Sequence, residues 1–241
     1  MQIIDFFLGF ILYTICEAIF RIRALIYFAG TQYATWKLVS PHPFMFFSPG
    51  YWLAMNCKRN SPSKLGRIAL RARLISTYNV WNLLLSGLLL VAVTAIQREG
   101  FALLNITIAF ISWRYISRSI EIALAFGRDI TTSFSASKLP NTARIKLAFK
   151  SYFEIFLFSA AYYSASSSEL EGFGSSLLAS LYVGTFTNVS WVADKLPIPH
   201  LAFLQVFATL SLVLLSIAGY LGKVKRKKYV PSRRLWKRNI N

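Results

Sequence analysis

Residues 181–195 read LYVGTFTNVSWVADK. An apolar segment at 173–184 precedes them, too short to cross a bilayer, and a longer apolar run at 201–221 follows. The pieces come in the order span, turn, short helix, Thr-x-Thr segment, a return loop with Pro197 and Pro199, and span. Non-helical backbone at membrane depth persists only where protein buries it or a wet cavity meets it. The layout therefore predicts a re-entrant segment shared by several chains around a common axis.

Working outward, the whole chain carries the same signature. It has 241 residues, of which 55% are hydrophobic, 16% aromatic and only 15% charged. A soluble domain carries about a quarter charged residues, and long apolar runs with few charges read as spans. The expected fold class is an all-α polytopic membrane protein. Apolar runs at 78–96, 101–122, 148–165 and 201–221 are the expected spans. The run from Asp5 to Gly30 is either a further short span or a partly interfacial helix, because Glu17, Arg21 and Arg23 interrupt it. Residues 31–57 hold Pro41, Pro43, Pro49 and Gly50 among aromatics, which predicts an interfacial or re-entrant segment.

The net charge of +18 does not point to nucleic acid, since basic residues flank apolar runs instead of interleaving with stacking aromatics. Nine of the 27 Lys and Arg lie between Lys223 and Arg238. Such a block beside a span marks the cytoplasmic side and attracts anionic headgroups. Basic segments 58–73, 128–150 and 223–238 are thus expected inside, with the QREG turn and 166–200 outside. The C-terminus is then expected on the cytoplasmic side. Four units follow: an N-terminal membrane or interfacial segment (1–75), a helical hairpin with basic linker (76–147), a pore-like module (148–223) and a basic tail (224–241).

Cys16 and Cys57 form no spaced pair, and His42 and His200 stand alone, so neither a disulfide framework nor a metal ligand set is expected. Lacking a basic leader and an Ala-x-Ala site, the first run is not expected to be a removed signal peptide. No paired acids, activated nucleophile or repeated half-structure points to an enzyme or a transporter.

Two features inside the apolar runs are charged. Arg114, Arg118 and Glu121 share one face of a helix at spacings of four and three. Two arginines make a short ladder for a voltage sensor, and an ion-paired helix end is the plainer reading. Glu154 is either a functional intramembrane acid or the partner of Lys150, one turn away.

Residues 149–223 resemble the two-span pore module of the potassium-channel superfamily, and the C-terminal two-thirds resembles small bacterial ion-channel-domain proteins. The stretches that carry this are SRSIEIALAFGRD, LAFKSYFEIFLFSAAYY, SLLASLYVGTFTNV and LAFLQVFATLSLVLLSIAGYLGKV. In that family the third continues as Thr-Thr-Val-Gly-Tyr-Gly-Asp. The resemblance implies a homotetramer in which backbone carbonyls replace the hydration shell of a monovalent cation, K or Na. By position, Thr185 and Thr187 match the threonines, Asn188 replaces the next Thr and Val189 keeps its Val. Ser190, Trp191 and Val192 replace Gly, Tyr and Gly, and the acid is displaced to Asp194.

These exchanges alter the implied chemistry. Glycine takes left-handed backbone at no steric cost, whereas a β-branched residue there is an outlier. The expected filter is wider and weakly selective, with Asn188 and Ser190 offering side-chain oxygens. Glu169 and Glu171, with Asp194, are candidates for a cation-enriching outer mouth. In the last span Gln205 and Thr209 occupy the positions of the family's acid and bending glycine, as possible pore or gate residues. The other expectation is a non-conducting scaffold or sensor, in which Trp191 and Val192 plug the axis.

Overall fold

The computed structural model describes residues 3–29, 47–59, 64–99, 104–131 and 140–213. Among these residues every regular element is helical and none is a strand. The helices are α1 (Ile3–Ala29), α2 (Pro49–Arg59), α3 (Lys64–Glu99), α4 (Leu104–Thr131), α5 (Asn141–Ser166), α6 (Phe173–Gly184), α7 (Val189–Ala193) and α8 (His200–Leu210). Two stretches are long and apolar enough to cross a membrane: Ile3–Ala24 and Ala72–Ile96, of 22 and 25 residues.

The first apolar run is one continuous helix, although Glu17 and Arg21 interrupt its hydrophobic pattern. Both side chains are buried against other helices, while Phe7, Ile11, Ile15 and Ile19 face outward. Unlike the expected boundary at 75/76, α3 is unbroken from the basic stretch into the apolar run. Likewise α5 begins at Asn141, after the extended Pro140, so that it includes the end of the expected basic linker. Residues 30–46, the linker residues 132–139, the end of the last apolar run (214–221) and the basic tail (224–241) lie outside the described residues.

Side-chain contacts set the directions of the helices. Gly9 packs on Ala109, Tyr13 on Ser117 and Arg21 on Glu121, so α1 runs parallel to α4. A Cβ on Gly9 would lie 2.5 Å from the Cβ of Ala109 and 2.8 Å from its carbonyl carbon. Glycine at this point is what lets the two backbones touch. Arg118 meets Glu154, Arg114 lies over the Phe158 ring, and Tyr115 stacks on Tyr162, which makes α5 antiparallel to α4. A four-residue connection (100–103) turns α3 into α4, and α3 runs beside α5 with Asn79 bonded to Ser151 at 2.8 Å.

The core at the α4–α5–α8 junction is aromatic, with Tyr115, Phe158, Tyr162 and Tyr163 all buried. The outer surface is the reverse of a soluble protein's, since Leu84, Leu88 and Val91 of α3 and Phe203 and Phe207 of α8 are more than half exposed.

Short α2 enters the bundle by its N-terminus. Ser48 caps it, its Oγ accepting from the Tyr51 N–H at 3.3 Å, and Pro49 takes the first helical position, where a missing N–H costs nothing. The Gly50 N–H donates to Ser117 Oγ at 3.3 Å, and a Cβ on Gly50 would sit 3.2 Å from Glu121 Oε2. The positive end of α2 thus lies against a buried carboxylate.

Candidate functional site

Helix α6 has 12 residues, roughly 18 Å at about 1.5 Å per residue. Gly172, at φ 100°, turns the chain into it, a conformation that glycine takes freely. Serines on one side seat α6 against α5. Ser180 Oγ donates to the Phe156 carbonyl at 2.8 Å and lies 2.7 Å from Ser159 Oγ. Gln205 of α8 closes the arrangement: its Nε2 donates to the Ser180 carbonyl at 2.9 Å, and its Oε1 accepts from Tyr163 OH at 2.7 Å. A Cβ on Gly184 would lie 3.3 Å from Gln205 Nε2 and 3.4 Å from Tyr152 OH, so α6 ends beside the middle of α5.

Past Gly184 the chain makes a tight turn instead of an extended strand. The Thr185 N–H donates to the Leu181 carbonyl at 2.9 Å, and Thr187 donates twice to Tyr182 O, from its N–H at 2.9 Å and its hydroxyl at 3.2 Å. Phe186 supports this turn at φ 61°, an uncommon conformation for a residue with a side chain. Helix α7 then consumes carbonyls of the filter-like positions. Asn188 O accepts from the Val192 N–H at 3.2 Å and Ser190 O from the Asp194 N–H at 2.9 Å. Val192 is fully buried in helical backbone, where its β-branch is tolerated.

Thr185, Thr187, Asn188 and Ser190 are exposed together at this turn, Val189 is half-buried, and Trp191 is 46% exposed. Trp191 stands edge-on to Tyr182, with ring centroids 6.0 Å apart. The Lys195 ammonium lies 4.5 Å from the Trp191 ring centroid and is salt-bridged to Glu169. Glu169 therefore carries a paired charge, whereas Glu171 and Asp194 are exposed.

In the last helix both candidates from the sequence point inward. Gln205 and Thr209 are buried within the chain, at 1% and 2% exposure, and Gln205 ties α8 to α5 and α6. Neither side chain faces the turn's open side. Tyr163, Ser159 and Ser180, which hold Gln205 and α6, carried no distinguishing signal, since serines and tyrosines are common in apolar helices.

A second constellation lies deeper in the bundle. Six buried charges form an alternating chain: Arg114, Glu17, Arg21, Glu121, Arg118 and Glu154. Arg21 Nε bonds Glu17 at 2.5 Å, and its Nη2 bonds both oxygens of Glu121 at 2.9 and 3.0 Å. Arg118 reaches Glu121 at 2.9 Å and takes both oxygens of Glu154, the Nη2 contact being 3.0 Å. Arg114 pairs with Glu17 and with Asn82 of α3, between the rings of Tyr13 and Phe158, each 5.6 Å from its guanidinium carbon.

Three arginines and three glutamates sum to zero charge, which makes their burial tolerable. The expected shared face of Arg114, Arg118 and Glu121 is present, and its charges are paired. Arg118, not Lys150, is the salt-bridge partner of Glu154. Arg114 Nε and Asn82 Nδ2 are buried without a hydrogen-bond partner. Among the described residues no group of three or more His, Cys, Asp or Glu side chains is arranged to hold a metal ion.

No family model, curated protein or solved structure matches the chain.

Proposed function

We propose that the chain is a membrane-embedded subunit of a homotetrameric cation pathway that is weakly selective among monovalent cations such as potassium and sodium. One observation carries this reading. Thr185, Thr187, Asn188 and Ser190 are exposed at the end of a helix that stops midway along its neighbour, in a bundle whose exposed faces on α1, α3 and α8 are largely apolar. Polar groups at that depth need water or other copies of the same segment around them. The C-terminal end of α6 adds partial negative charge where a cation would rest.

Ion contacts in this pathway come from side-chain oxygens, because the carbonyls of Asn188 and Ser190 are engaged within α7. Hydroxyl and amide oxygens on mobile side chains define a wider ring than fixed carbonyls do, which favours partly hydrated ions. The proposed setting is a bacterial cytoplasmic membrane with the C-terminus on the cytoplasmic side. The test is purified protein in a planar bilayer under a potassium/sodium gradient. Current with a reversal potential near zero supports the reading, and a complete lack of current under any cation gradient or voltage rejects it.

A second reading has its own observation. Trp191 packed on Tyr182 and capped by Lys195 supports a closed outer surface, as in a non-conducting scaffold or sensor built on the same layout. A tetramer in mild detergent that carries no current distinguishes this alternative.

A further inference from the structure

Three helices present outward stripes that are apolar over most of their length and end on an exposed cation. On α1 the stripe runs through Ile11, Ile15 and Ile19 to Arg23; on α3 it runs from Leu88 through Leu84 and Val80 to Arg73; on α5 Phe153 and Phe149 lead to Lys146. The helix directions bring these cations to one end of the bundle. The carbonyl of Arg21, two residues before Arg23, accepts from Tyr78 OH at 3.0 Å.

The Asn79–Ser151 hydrogen bond fixes the register of α3 beside α5. Arg73 lies six residues before Asn79 and Lys146 five before Ser151, about 9 Å and 7.5 Å along parallel axes. The two side chains therefore stand at nearly the same height on adjacent helices, and Lys150, partly exposed, lies one turn further in on α5. Among the described side chains no carboxylate is paired with Arg73, Lys146 or Lys150, and Glu121 and Glu154 are committed to arginines inside the bundle.

We propose that Arg73 and Lys146, supported by Lys150, bind the phosphate headgroup of an anionic phospholipid whose chains lie along the exposed faces of α3 and α5. Charge complementarity selects an anion, and an apolar stripe continuous with the cations selects one that carries acyl chains. Trp81, 54% exposed on α3, and Phe149 and Phe153 on α5 supply that stripe. An acidic protein would match the charges and leave the aromatic faces uncovered. The site rests on the membrane-embedded reading given above but not on conduction, because lipid binding is read without any current.

The experiment uses the full chain in nanodiscs of equal phosphatidylglycerol and phosphatidylcholine, with retained lipids counted by native mass spectrometry. Phosphatidylglycerol is expected to be enriched about tenfold over phosphatidylcholine, as two basic residues near a surface allow. Arg73→Gln with Lys146→Gln is expected to abolish the enrichment, and the charge-conserving Arg73→Lys with Lys146→Arg to retain it. Enrichment that survives the glutamine pair but falls when the basic residues between 223 and 238 become glutamine overturns the proposal. So does equal binding of inorganic phosphate to the detergent-solubilised chain, or loss of enrichment in the charge-conserving pair. Absence of enrichment in the unaltered protein overturns it as well.

Discussion

Arg118 of α4 grips both carboxylate oxygens of Glu154 on α5, and Glu154 is completely buried. The pair joins the N-terminal helices to the helix on which short α6 is seated. Glu121 and Arg21 carry the connection on to α1. A sliding arginine ladder needs charges free to change partners, and here each arginine is held by its own acids.

Removing one member of the pair leaves a buried charge unmatched. Glu154→Leu alone is expected to destabilise the protein by about 3–5 kcal/mol, and Glu154→Leu with Arg118→Met to recover most of that loss. Glu121 keeps Arg21 in the double variant, so no second charge is stranded. Thermal unfolding in detergent reads the difference, and a double variant as unstable as the single would contradict the account.

The contact between α1 and α4 depends on the missing Cβ of Gly9. Gly9→Ala is expected to push the helices apart at a cost of about 1–3 kcal/mol. Ala109→Gly should restore part of this, since the Cβ–Cβ approach of 2.5 Å goes while the 2.8 Å approach to backbone remains. Disulfide trapping between cysteines placed along α1 and α4 would report the separation.

Gln205 is a structural clamp in this fold. Gln205→Leu strands the buried Tyr163 hydroxyl, at roughly 1–3 kcal/mol, and removes the side-chain donor to Ser180, whose carbonyl keeps its helical bond. Stability should fall while the potassium/sodium reversal potential of any remaining current stays unchanged. A shifted reversal potential with intact stability would place Gln205 in the ion pathway instead.

Lys195 sets the charge beside the Trp191 turn. Lys195→Gln frees Glu169 and removes an ammonium from the Trp191 ring. Cation current is expected to rise a few-fold at low salt, and less at high salt where exposed charges are screened. Asn188→Ala should act in the opposite sense by deleting a proposed ligand. Equal currents in both variants at low salt would remove this turn from the pathway.

Periodicity and composition were enough for the helices, because an apolar run without proline has few other ways to satisfy its backbone. They also located the short helix α6 and the Thr-x-Thr turn after it, which are local features. They left α1 open between a short span and a partly interfacial helix, because its charged residues look like interruptions until the arginines of α4 stand opposite them. Gln205 was singled out only by its position in the resemblance, and nothing local in the sequence showed that Tyr163 and Ser180 would be its partners.

By itself the sequence determined that the long apolar runs are helical, that α6 is too short to pass its neighbours, and that the residues after Thr187 lack the glycines of a carbonyl-lined filter. Only the tertiary structure decided that those residues wind into α7, with Val192 in the core and Trp191 against Tyr182. It likewise decided that six charges from three helices cancel in one buried chain. Local backbone preferences act over a few residues and are legible in order along the chain. Charge neutralisation and burial depend on residues about a hundred positions apart, such as Arg21 and Glu121, which only the packed bundle brings within 3.0 Å.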